Sequence, residues 1–218
     1  MVVTLVASYI HHRFVLDTEE FRLYHYIIPL LVGITFGAVI SLVINLHNAL
    51  REKERELREL ASTDSLTGLL NRRTLMELLR IEVSRARRKG TPLSIAVVDL
   101  DDFKHINDTY GHVVGDKALI ELTKVMRRNL RATDLIGRFG GEEFIIVMPE
   151  TDLKTALKVM ERIRRAVEET FFEPVGSISV SVGVAELKGD EEIESFIRRA
   201  DEALYRAKRE GKNRVVFA

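Results

Sequence analysis

Two acidic residues follow a glycine pair in Arg138-Phe139-Gly140-Gly141-Glu142-Glu143-Phe144, with the apolar run Ile145-Ile146-Val147-Met148 behind them. Apolar residues on both sides of Gly-Gly predict a β-hairpin whose two-residue turn is Gly140-Gly141, because glycine adopts φ > 0 without steric cost. A bare backbone beside two carboxylates lets a divalent cation and its phosphates approach closely. Taken alone, the stretch serves equally well as a plain turn carrying solvated charge, so the chemical reading needs other carboxylates to converge on it. Val97-Val98-Asp99-Leu100-Asp101-Asp102 supplies them at the carboxyl end of an apolar run, where open sheets place their sites. Asp99 is the natural metal ligand, because the apolar run ends on it. If that strand end lies beside the hairpin turn, Asp99 comes near Glu142. Two or three hard oxygen ligands, completed by water and phosphate oxygens, describe a Mg²⁺ site on a nucleotide. Lys104 is a point charge suited to a phosphate. Asn107 and Asp116 suit a base edge, the carboxylate accepting from two N–H groups as guanine presents them. Each of these last three, taken singly, serves as well as a helix cap or a surface residue.

These residues need a scaffold, and the pattern supplies one. Ser62-Thr63-Asp64-Ser65 is a run of cap-forming residues and a natural domain boundary. Beyond it, Asn71 to Lys89 has helical periodicity, and Leu93 to Leu100 is the continuous apolar run of a buried central strand. Phe103 to Leu130 is helical with a break near Gly111, and the hairpin follows. Asp152 to Thr170 is an amphipathic helix, Ile178 to Glu186 a strand, Glu191 to Glu210 a helix and Arg214 to Phe217 a closing strand. Helices between strands and one central hairpin predict an α/β or α+β sandwich.

Composition narrows the field. The 218 residues carry 33 Lys+Arg against 33 Asp+Glu, which speaks against a nucleic-acid binder relying on bulk positive charge. There is no cysteine, so disulfides, thiolate metal sites and cysteine nucleophiles are excluded, in keeping with a reducing compartment.

Ahead of the boundary the chain changes character. Residues 1–16 are mostly apolar but broken by His11-His12-Arg13, too short for a hydrocarbon core of ~30 Å at ~1.5 Å per residue. They are either a short membrane-associated piece or the remnant of a longer span, and the role of 1–26 stays open. Ile27 to Leu46 holds no charged residue and has about the ~20 residues of a spanning helix, with Tyr24 and Tyr26 at its leading edge. Arg51, Lys53, Arg55 and Arg58 follow it, so the positive-inside bias places the carboxyl-terminal side in the cytoplasm, on an inner (cytoplasmic) membrane. Gly33, Gly37 and Ser41 form a small-residue stripe suited to a partner helix. Leu46, Leu50, Lys53, Leu57 and Leu60 continue as a heptad seam, so 27–46 is assigned as a transmembrane helix and 47–61 as a coiled-coil linker.

The motifs resemble those of the GGDEF family of diguanylate cyclases over about residues 62–218. The resemblance runs through Asp64-Ser-Leu-Thr-Gly-Leu-Leu-Asn-Arg-Arg73 and Asp99-Leu-Asp-Asp-Phe-Lys-His-Ile-Asn107. Gly111-His112, Gly115-Asp116, Gly140-Gly-Glu-Glu-Phe144, Ala200-Asp-Glu-Ala-Leu-Tyr-Arg-Ala-Lys208 and Gly211-Lys-Asn213 complete it in the family's order. Several spaced motifs are far more specific than one. Glu142 replaces the aspartate that names the family, keeping the carboxylate. Lys212 stands where arginine is frequent, keeping charge but losing the bidentate fork.

The resemblance implies a cyclase and polymerase-palm-like domain, with a central, mostly antiparallel sheet flanked by helices. It implies condensation of two GTP into cyclic di-GMP with release of pyrophosphate, by two domains of a homodimer facing each other. Asp99, the Leu100 carbonyl, Glu142 and Glu143 are then the metal ligands, for two Mg²⁺ (or Mn²⁺) per active site. Glu142 also takes the proton of the attacking 3′-hydroxyl, with Lys104 as the second catalytic residue. Asn107, His112, Asp116, Gly140 and Gly141 contact the nucleotide, and Lys208 and Lys212 join Lys104 in neutralising phosphate charge. Arg131-Ala-Thr-Asp134 resembles the family's inhibitory product site, and Arg162 its second arginine. A domain of this kind that binds GTP or cyclic di-GMP without turnover is the alternative, and the presence of every acidic and base-contacting residue favours synthesis.

Overall fold

The computed structural model describes the backbone of residues 1–13, 19–60 and 62–218, and the side chains of 1–9, 26–53 and 62–218. The chain forms two compact units, Met1–Leu60 and Ala61–Ala218. In the first, α1 (Val2–Arg13) and α2 (Glu19–Leu60) are the elements. At ~1.5 Å per residue, the 42 residues of α2 extend about 63 Å. Its stretch Tyr26–Lys53 is long and apolar enough to cross a bilayer by length and composition. The span and residues 47–60 of the stalk thus form one uninterrupted helix, and the described residues among 1–26 fall mostly in α1 and the start of α2, with 14–18 and 61 outside the described residues. Leu46 and Leu50 are exposed, while the side chains of Leu57 and Leu60 lie outside the described residues.

The second unit begins with α3 (Arg72–Lys89). The Asn71 side chain caps it by accepting from the Thr74 N–H at 2.9 Å, satisfying one of the first-turn donors that no carbonyl reaches. Then come β1 (Leu93–Leu100), α4 (Phe103–Tyr110), α5 (His112–Arg128), β2 (Leu135–Gly140), β3 (Glu143–Pro149) and α6 (Leu153–Glu168). A short ribbon, β4 (Phe171–Phe172) with β5 (Gly176–Ser177), precedes β6 (Val180–Glu186), α7 (Ile193–Arg209) and β7 (Val215–Phe217). The five-stranded sheet has the order β2-β3-β1-β6-β7, antiparallel except for the β6–β7 pair. The expected mostly antiparallel sheet flanked by helices is the observed architecture.

Period-two alternation along the strands sorts the core into two layers. Ala96, Val98 and Leu100 of β1 pack with Phe144, Ile146 and Val182 against Leu119, Leu122, Met160 and Ile163 of α5 and α6. Leu93, Ile95 and Val97 pack with Ile145 and Val147 against Leu75, Leu79, Phe196 and Leu204 of α3 and α7. Each fully buried Leu, Ile or Phe contributes roughly 1.5–3 kcal/mol. A buried strand sandwiched in this way must be apolar on both faces, which is why β1 reads as an unbroken apolar run. Helix α7 rides directly on β6: a Cβ at Gly183 would sit 2.0 Å from the Ala200 carbonyl oxygen and 2.2 Å from the Leu204 nitrogen.

Candidate active site

Strand β1 runs between β3 and β6, and the register places Asp99 opposite Glu143 on one side and Ser181 on the other. Paired residues of antiparallel neighbours share a face, so Asp99 and Glu143 project on the side covered by α3 and α7. The Leu100 N–H donates to the Glu142 carbonyl at 3.4 Å, which fastens the strand end to the hairpin turn. Juxtaposition of the Asp99 strand end with the hairpin is therefore observed.

The turn itself differs from the expectation by one residue. Gly140 still belongs to β2 and pairs with Glu143, so Gly141 and Glu142 form the turn, and only Gly141 has positive φ, +36°. The cause is a bulge: the register shifts between Arg138 and Gly140, absorbing Phe139 as an extra residue. Glu142 consequently stands on the turn and Glu143 opens the returning strand. Both glutamates are half-buried.

Asp99 is buried, and Lys208 of α7 reaches it with Nζ 2.8 Å from Oδ2. Burial pushes the Asp99 carboxyl up to about 6 against the pull of Lys208, with the Glu142 and Glu143 charges adding to the rise. Such a carboxylate gains from a further cation. Among the described residues no three His, Asp or Glu side chains converge as a ready cluster. A cation held here would draw on the Asp99 and Glu142 or Glu143 carboxylates and the Leu100 carbonyl, leaving positions for ligand oxygens, the donor set of a hard divalent ion.

Lys212, in the turn after α7, reaches the residues just beyond β1, its Nζ 2.6 Å from Asp102 Oδ1, and that hydrogen bond raises the Lys212 pKa. Two of the three expected phosphate cations, Lys208 and Lys212, are thus each held on a carboxylate at or just beyond the end of β1. The remaining expected residues lie on the α4–α5 pair that follows. Lys104 is exposed in the first turn of α4, and His112 and Asp116 are exposed on α5. Asn107 sits half-buried on α4, its Oδ1 enclosed with no hydrogen-bond partner. Gly115 is what admits that amide, since a Cβ there would meet Asn107 Oδ1 at 1.9 Å.

Arg131 and Asp134 form a tight turn. The Arg131 N–H donates to Asp134 Oδ2 at 2.8 Å and the Asp134 N–H to the Arg131 carbonyl at 3.1 Å. Asp134 Oδ1 is enclosed without a partner, and the Arg131 side chain is exposed. Arg162 of α6 donates to the Asn129 carbonyl at 2.6 Å, two residues before that turn. The three residues of the expected inhibitory site therefore converge on one edge of the domain.

Sequence reasoning gave no role to Arg138, Asp101 or Asn213. Arg138 donates from Nε and Nη2 to the Gly141 carbonyl at 2.9 and 2.7 Å, and from Nη1 to Asp64 Oδ1 at 3.2 Å. Asp64 also accepts from the Thr67 N–H and hydroxyl. Partial burial acts to raise the Asp64 pKa, but Thr67 and Arg138 outweigh it and hold the carboxyl below its usual range. Asp101 is buried and accepts from the Ser179 and Ser181 hydroxyls, each at 2.7 Å, and from the Asn213 N–H at 3.1 Å. The signal for Asp101 was the pair Ser179 and Ser181 in an otherwise apolar strand region.

The family model described as "Diguanylate cyclase, GGDEF domain" matches residues 61–214. Diguanylate cyclase DgcP of Pseudomonas aeruginosa is 46% identical over 165 residues, which are 74% of this chain and 24% of that protein. The chain thus spans about a quarter of that relative's length. Among solved structures, the coiled coil and GGDEF domain of DgcB from Caulobacter crescentus, in complex with c-di-GMP, superposes with a TM-score of 0.69 at 34% identity. That match covers 84% of this chain and 100% of the other. The active GGEEF domain of a diguanylate cyclase from Vibrio cholerae is 41% identical with a TM-score of 0.66, covering 68% of this chain and 97% of that one. The family model spans most of the chain and these structures share its fold: the chain belongs to the GGDEF-domain family.

Proposed function

We propose that this chain is a diguanylate cyclase that condenses two GTP into cyclic di-GMP and pyrophosphate. The observation that carries the reading is the register that sets buried Asp99 opposite Glu143, with Glu142 on the adjoining turn. The matched relatives named as diguanylate cyclases, one with a GGEEF motif described as active, support it. Asp99, the Leu100 carbonyl, Glu142 and Glu143 would hold the divalent cations, two Mg²⁺ per site with Mn²⁺ as a substitute. When bound, those ions neutralise phosphate charge and lower the pKa of the attacking hydroxyl.

The chain's own residues divide the rest of the work. Asn107, His112 and Asp116 orient the nucleotide, and the bare backbone at Gly140 and Gly141 lets it approach. Lys208, paired with Asp99 in the absence of ligand, joins Lys104 and Lys212 in balancing the phosphate charge. Glu142 accepts the 3′-hydroxyl proton. Because one domain holds one GTP, two copies of the chain face each other. Helix α2 serves as membrane anchor and pairing stalk, with the catalytic unit on the cytoplasmic side. Arg131, Asp134 and Arg162 bind the cyclic product and restrain the enzyme.

The test is incubation of purified protein with GTP and Mg²⁺ and identification of the product by mass. Cyclic di-GMP is expected from the native chain, and a loss of at least ~10²-fold from Glu142→Gln, which keeps the volume but removes the charge. GTP binding without product in the native chain would instead identify a receptor.

A further inference from the structure

Residues 211–213 are a turn of unusual backbone. Gly211 has φ +114°, and the two residues after it, neither of them glycine, follow at +60° for Lys212 and +46° for Asn213. Two consecutive side-chain-bearing residues in the left-handed region persist only where their surroundings over-determine them. Those surroundings are on view. The Lys212 N–H donates to the Ala207 carbonyl at 3.0 Å, and Arg214 Nε donates to the Lys212 carbonyl at 3.1 Å. Asn213 Oδ1 accepts from Arg164 Nη1 and Asn213 Nδ2 donates to Glu168 Oε1, each at 2.7 Å. The Asn213 N–H donates to Asp101 Oδ2.

Asp101 is the unusual member of this set. It is 6% exposed, yet every donor found on its carboxylate is neutral: two serine hydroxyls and one backbone N–H. Burying a carboxylate without a bonded cation is unfavourable unless its lone pairs are filled. Here they are filled from two directions, Ser179 and Ser181 from the β6 side and Asn213 from the turn. The Asp101 N–H also donates to the Ser179 carbonyl at 2.9 Å. The carboxylate therefore ties the end of the strand that carries Asp99 to the turn that carries Lys212. Lys212 has a flexible four-carbon stem, and a fixed backbone is what gives its ammonium a defined place beside Asp102.

We infer that Asp101 is a positioning residue: it locks the 211–213 turn and thereby aims Lys212 at the nucleotide's phosphates. This rests on the cyclase reading for the identity of the nucleotide. Asp101 touches neither metal nor substrate in the scheme, and its effect passes through Lys212.

The experiment uses the full chain with Asp101→Asn, Lys212→Ala and the double variant. Affinity is measured by titrating a fluorescent, non-hydrolysable GTP analogue, turnover by KM and kcat, and folding by thermal melting. Asp101→Asn is expected to weaken analogue binding and raise KM about tenfold, with kcat within about threefold of native. In the Lys212→Ala background the same change is expected to add less than twofold. Effects that multiply in the double variant, or a fall confined to kcat, would overturn the inference. Where Asp101→Asn does not fold, Ser179→Ala takes its place, because it removes one of the donors that hold Asp101 Oδ2 and meets the same criterion of non-additivity with Lys212→Ala. A native chain that binds the analogue but makes no product overturns the cyclase reading alone. One that makes product while the variants multiply overturns the positioning role alone. One that binds no analogue overturns both.

Discussion

Lys208 Nζ lies 2.8 Å from Asp99 Oδ2, so a cation from α7 rests on a carboxylate near the end of β1. The pair does not fully offset burial, since the Asp99 pKa still stands at about 6, above the ordinary 3.8. A group whose folded pKa is raised contributes most below its unfolded value and loses that contribution as pH climbs through the folded one. Asp99 is therefore a charge that the metal-free domain holds at a cost.

The first prediction follows from that sign. In EDTA, Asp99→Asn is expected to be more stable than the native chain above pH 6, by up to about 3 kcal/mol on a scale of ~1.4 kcal/mol per pKa unit. The difference should grow between about pH 4 and pH 6 and level off above, as read by denaturant midpoints at stepped pH. A difference that does not vary with pH would mean that burial is not what perturbs Asp99.

Arg138 carries the second. Its fork holds the Gly141 carbonyl while Nη1 holds Asp64. Lysine has the charge but cannot grip both. Arg138→Lys is expected to lower turnover roughly tenfold or more by loosening the turn that presents Glu142, and stability by about 1–2 kcal/mol. Parallel assays of product formation and thermal melting check it. Native activity in this variant would show that the turn holds its shape without the arginine.

The third concerns pairing. A fragment beginning at Ser62 lacks α2, so its domains meet only by diffusion, whereas linked domains see each other at an effective concentration in the mM range. Specific activity of the fragment is expected to fall on dilution through the micromolar range, while that of the full chain stays flat. Equal dilution curves would remove α2 from the assembly.

The fourth concerns restraint by product. The Arg131–Asp134 turn already orders one Asp134 oxygen and leaves the other enclosed without a partner. Arg131→Ala leaves that turn's backbone bonds in place and removes one guanidinium. Initial turnover should stay near native, and added cyclic di-GMP should lose its inhibitory effect by tenfold or more in concentration. Inhibition that is unchanged would reduce the motif to a surface turn.

Much of the arrangement was legible in sequence because it is local. The unbroken apolar run Leu93–Leu100 announces a strand covered on both faces, and a carboxylate at its end announces a site. Asn71 and Asp152 mark helix starts by capping bonds to residues only three positions on. The hairpin was legible, but not its turn: with glycine at both 140 and 141, either could lead, and the bulge at Phe139 decides through strand pairing. Arg138 and Asp101 were opaque for a related reason. Asp64 is 74 residues from Arg138, and the donors to Asp101 are 78, 80 and 112 residues away. No periodicity or spacing rule reaches across such distances, so these partnerships exist only once the sheet has closed.

The close seating of α7 on Gly183 has a reach well beyond the core. The helix that presses its Ala200 and Leu204 backbone onto β6 delivers Lys208 to the next strand one turn later. Gly183 therefore works as a shim of zero thickness. A single methyl group there would lift the helix, and the ammonium would lose its carboxylate although no ligand-facing residue had changed. Inheritance of the catalytic motifs alone does not guarantee a working site in this chain; the missing side chain at 183 belongs to the same inheritance.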